Sequence, residues 1–88
     1  MAQTVAQCLT AATDSVTLIN EVNGSSYNVA GMTQAEINEM VQRNVDHLST
    51  ILSYDSSMEG VPNIADASDN KSSYTTAITT GTNYIAAN

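Results

Sequence analysis

The residues able to do chemistry gather in one stretch, MTQAEINEMVQRNVDHLSTIL, residues 32–52. It holds Glu36, Glu39, Asp46, the chain's only arginine, Arg43, and its only histidine, His47. A histidine working as general base needs a nucleophile and an orienting acid within hydrogen-bond reach. Asp46 directly precedes His47, so on a helix the two side chains diverge by about 100°. As a metal ligand, His47 lacks both a second histidine at i+4 and the HExxH spacing of zinc enzymes. With Ile37 set at zero on a helical wheel, Glu36, Glu39, Arg43 and Asp46 lie at about 180–260°, opposite an apolar set centred near 20°. That is how a solvated helix face is written, with Glu39 and Arg43 in the favourable i, i+4 order. The functional alternative is an acidic patch that docks a basic partner. His47, at the edge of the stripe, is expected to be a boundary histidine.

The unusual residue is Asn44. It falls inside the apolar stripe, where a buried amide is costly unless paired. Two roles are open: an interior amide bonded to a loop backbone, or a polar residue that fixes helix register or oligomeric state. Cys8, the single cysteine, has no neighbouring cation to lower its pKa and is expected to be a buried or half-buried thiol. NGS at 23–25 and NKS at 70–72 match the glycosylation acceptor pattern; MAQTVAQCLT does not read as a signal peptide, so both are expected to be chance matches. No catalytic residues, cofactor-binding motif or metal ligands are expected, and no small-molecule substrate.

Three helical segments must position these residues. In the first, about 4–23, Val5, Leu9, Ala12, Val16 and Ile19 recur at spacings of four and three and form one stripe. Asn23-Gly24 supplies a stop, since both residues tolerate the left-handed conformation. Leu18 and Val22 fall off that stripe, as scattered surface apolars or as a contact face for another chain. The second segment, about 34–54, opens on Thr33-Gln34-Ala35-Glu36, a capping box, with Met32 and Ile37 placed as a hydrophobic staple. Ile37, Met40, Val41, Val45, Leu48, Ile51 and Leu52 then share one side. The third segment, about 69–86, places Tyr74, Ala77, Ile78, Gly81 and Ile85 at helical spacing. It is rich in Thr, Ser and Asn, so it needs tertiary contacts to be helical. Gly81 either admits a close helix or marks a break. Tyr27 is expected to pin the first connection, and Met58, Val61 and Ile64 to pack the second over the bundle. The expectation is a single all-α domain over 1–88, a three-helix bundle with two ordered loops. Its candidate partner contacts are Leu18, Val22, Tyr27, Asn44, Met58, Val61 and Ile64.

Composition narrows the partners. The 88 residues carry nine acids against Lys71 and Arg43, a net charge of −7, with only 12% charged residues. Two isolated cations cannot neutralise a phosphate backbone, so nucleic acid is not an expected partner. Anionic membranes are disfavoured for the same reason, and no apolar run approaches the roughly 20 residues of a span. Without disulfides, Phe or Trp, so small a domain gains most from assembly with other chains.

In overall character the chain resembles the short, acidic, Ala/Thr/Asn-rich proteins encoded among the structural genes of tailed bacteriophages, especially those of marine bacteria. MAQTVAQCLTAATDSVTLINEV, QRNVDHLSTIL and YTTAITTGTNYIAAN carry the resemblance. It implies a virion component, assembled in the host cytoplasm, that repeats on a capsid, head–tail connector or tail. Its partners would be other virion subunits, in a homo-oligomer or symmetric array. The alternative from a different class is an acidic inhibitor or adaptor that binds a basic host protein.

Overall fold

A computed structural model describes residues 5–53 and 71–88. Met58, Val61 and Ile64 lie outside the described residues. Three helices, α1 (Val5–Asn23), α2 (Gln34–Ser53) and α3 (Lys71–Ala87), pack against one another pairwise as a small all-α bundle. Ser15 on α1 meets Asn44 and His47 on α2, while Gln34 and Val45 on α2 meet Tyr84 and Gly81 on α3. Helix α2 therefore runs antiparallel to α3.

Helix α2 begins where local chemistry dictates. The Thr33 amide donates to Glu36 Oε1 at 2.8 Å, and the Glu36 amide donates to Thr33 Oγ1 at 3.1 Å. Two backbone donors that the helix leaves orphaned are thus satisfied reciprocally, and Glu36 also complements the positive end of the helix dipole. Ile37 is buried and Met32 packs partly buried against the same core, as a staple requires. Glu39 and Arg43 are both exposed and form no ion pair among the described residues.

The end of α1 differs from the expected one. The left-handed residue is Ser25, at φ 62°, one position beyond Gly24. The Ser26 amide reaches the Glu21 carbonyl at 2.8 Å and the Ser25 amide reaches the Val22 carbonyl at 3.1 Å. These two bonds are a Schellman cap, which places its left-handed residue two positions past the last helical one. Gly24 continues the helical bonding, its amide donating to the Asn20 carbonyl at 2.9 Å. In the connection that follows, Tyr27, Val29 and Met32 lie half-buried against the core. Asn28 Oδ1 turns the chain there by accepting the Ala30 amide at 3.1 Å.

The core takes Ala12, Ile19 and Val22 from α1, Ile37, Val41, Val45, Leu48 and Ile51 from α2, and Tyr74 and Ala77 from α3. Each large aliphatic buried here contributes roughly 1.5–3 kcal/mol. Gly81 decides how close α3 comes. A methyl group at this position would sit 2.6 Å from Val45 Cγ2, 3.2 Å from Val41 Cγ1 and 3.4 Å from Ile19 Cγ2. The glycine is the point where all three helices converge, and α3 passes through it without a break.

Candidate functional site

The stripe on α1 is rotated from the expected one. Among the described residues its buried positions are Ala12, Ser15, Ile19 and Val22, while Leu9 and Val16 are only partly buried. On a helical wheel this is a turn of about 60° about the helix axis. Val22, at 6% exposure, is a core residue, so its expected role as a contact for another chain is corrected. The rotation follows from Ser15. A polar residue is invisible to hydrophobic periodicity, yet this one is 3% exposed because α2 supplies hydrogen-bond partners for it.

Those partners are the residues that the sequence marks on α2. Ser15 Oγ donates to Asn44 Oδ1 at 2.9 Å, and His47 Nδ1 lies 2.9 Å from the same hydroxyl. Asn44 Nδ2 donates to the Met40 carbonyl one turn earlier at 2.8 Å. Spaced by three along α2, Asn44 and His47 face α1 together and clasp one serine between them. Asn44 thus departs from the first expected role, since its amide is bonded to α1 and to its own helix and not to a loop backbone; a bond across to α1 is what the second role, fixing helix register, requires. The sequence flagged Asn44, and Ser15 was not among the expected site residues. The weak signal available was a serine one turn from Ile19, on the flank that Val22 shares.

Chemically, this cluster runs opposite to nucleophile activation. An activated serine gives its proton to a histidine that a third group orients. Here the serine is buried and its proton goes to an amide oxygen.

Of the other expected contacts, Leu18 and Tyr27 are half-buried against their own core. A groove of about 350 Å³ runs past Gln7, Thr10, Ala11 and Asp14 on the outer side of α1 and offers a single carboxylate. Among the described residues no three His, Cys, Asp or Glu side chains converge as metal ligands. No described helix is long and apolar enough to cross a membrane.

No protein family, curated protein or solved structure matches this chain. What remains for a functional reading is the surface. From Ser72 to Ala87 the exposed residues of α3 are Ser72, Ser73, Thr75, Thr76, Thr79, Thr82, Asn83, Ala86 and Ala87, and none of these is charged. Exposed charge on α2 is concentrated at Glu36, Glu39, Arg43 and Asp46.

Proposed function

We propose that the protein is a small structural subunit of a bacteriophage particle, non-enzymatic, docking through helix-face contacts at a repeated position on a capsid, connector or tail. The observation that carries this reading is that the exposed residues of α3 from Ser72 to Ala87 are uncharged, in a chain of net charge −7. Interface cores are depleted in charge, because neutral hydroxyls and amides lose less on leaving water than carboxylates do. A second feature supports it: hydrogen bonds and a glycine contact fix the bundle's internal geometry, leaving α3's outer residues free to face other subunits. The phage assignment itself comes from the compositional resemblance.

The second reading, an acidic inhibitor or adaptor for a basic host protein, is favoured by Glu36, Glu39 and Asp46, exposed on α2. The two readings separate cleanly. Mass spectrometry of purified particles is expected to find the chain in fixed copy number, and its absence there overturns the structural reading. A stable monomer that captures a basic host enzyme through Glu36, Glu39 and Asp46 supports the alternative.

A further inference from the structure

We infer that Met40, Asn44, Ser15 and His47 form a one-way hydrogen-bond relay, which fixes His47 as its Nδ1–H tautomer and makes Nε2 a proton-accepting site whose occupation leaves the α1–α2 contact closed. Each step follows from which atoms can donate. The Met40 carbonyl only accepts, so the Asn44 atom 2.8 Å from it is the amide nitrogen. The opposite end of that amide, facing Ser15 at 2.9 Å, is then the oxygen, which also only accepts. Ser15 has one hydrogen and gives it there. The Ser15 oxygen is left with lone pairs alone, so His47 Nδ1, 2.9 Å away, must be the donor. A neutral imidazole has one N–H. With it on Nδ1, Nε2 is bare.

Acid adds a proton at Nε2 and leaves Nδ1–H in place, so the bond to Ser15 persists and becomes charge-assisted. The reverse relay, with Ser15 donating to a bare Nδ1, would have to turn the Ser15 hydrogen away on protonation, breaking the chain of bonds and making it anew. The charged neighbours do not change this logic. Asp46, adjacent on α2, accepts from Gln42 Nε2 at 2.9 Å. Arg43, one turn earlier on α2, is exposed, as is Asp14, beside Ser15 on α1. Helix α3 contributes no charged residue from Ser72 to Ala87.

Because His47 is the only histidine, its ring signals need no assignment. Two-bond nitrogen–proton correlation spectra of the ¹⁵N-labelled chain, recorded through the histidine titration, are expected to show protonated Nδ1 and bare Nε2 at alkaline pH. On acidification only Nε2 should change type, with the Ser15 and Asn44 amide resonances staying in place. A bare Nδ1 at alkaline pH, or loss of those amide resonances on titration, overturns the proposal. Ser15→Ala, shown to be folded by circular dichroism, removes the acceptor and should return the neutral ring to a mixture dominated by Nε2–H. If the Nδ1–H form persists in that folded variant, the relay is not what sets the tautomer. Should Ser15→Ala fail to fold, the wild-type titration decides alone.

Discussion

Helix α2 is held on its two sides by different physics. Toward α1 the contact includes a polar clasp, Ser15 between Asn44 and His47, whose bonds have direction and tolerate only one register. Toward α3 the contact is shape: Gly81 removes a side chain so that Val41 and Val45 meet backbone. Directional bonds specify position but add only about 1 kcal/mol each in net stability. Close packing adds more and specifies through exclusion. The difference suits the two helices. The sequence of α3 is a poor helix former, with Thr at five of its positions, so it needs the larger packing term.

The packing side should break most severely. Gly81→Val is expected to cost about 3 kcal/mol or more, since even its Cβ would be too close to Val45 and branched methyls crowd Val41 and Ile19 as well. Gly81→Ala should cost about 1–2 kcal/mol net, because a helix-propensity gain of about 1 kcal/mol offsets part of the overpacking. Urea denaturation followed by circular dichroism measures both. If Gly81→Ala proves stabilising, α3 shifts freely and the close approach does not define the fold.

The polar side should break more gently. Asn44→Ala removes the acceptor of the buried Ser15 hydroxyl, leaving only His47 beside it, and opens space there, for an expected loss of about 2 kcal/mol. Ser15→Ala should lose about 1 kcal/mol, because Asn44 and His47 are only half-buried and can turn to water. The double variant tests whether they act as a unit. A double-mutant cycle is expected to give a coupling above about 0.5 kcal/mol, whereas strict additivity would show two independent side chains.

These two sides also differ in how legible they were. The start of α2 could be read directly, because Thr33 and Glu36 lie within one turn and the capping box is local chemistry. Gly81 could be read as a choice, close approach or break, and only the position of Val41 and Val45 resolves it. The face of α1 could not be read, because the burial of Ser15 depends on residues 29 and 32 positions away. Periodicity counted Leu9 and Val16 as core and put Val22 outside, since it sees apolar residues and not the polar one among them. The same limit hid the partner of Asn44. An amide in an apolar stripe announces that it is bonded, but not to what. At Ser25 the sequence misled in another way: Gly24 advertised the left-handed turn, and the cap took the next residue.

The smallest effect sharpens the comparison by reversing its sign. Tyr74 on α3 is 2% exposed, and its hydroxyl has no hydrogen-bond partner among the described residues. Ser15 is about equally buried, but its hydroxyl is fully used. Removing an unpaired buried hydroxyl relieves a desolvation penalty, where removing a paired one creates it. Tyr74→Phe should therefore be neutral or stabilising by up to about 1 kcal/mol, opposite to Ser15→Ala. Burial also raises the pKa of Tyr74 above the ordinary tyrosine value of 10.0. In the unfolded chain this phenol ionises first, so the unfolded state binds fewer protons than the native one above about pH 10, and stability falls as pH rises. Denaturant midpoints measured from pH 8 to 11 should fall less steeply for Tyr74→Phe than for the wild type at the alkaline end. Parallel curves, or a destabilised Tyr74→Phe at neutral pH, would mean that the hydroxyl is paired and that both sides of α2 hold their buried polar groups alike.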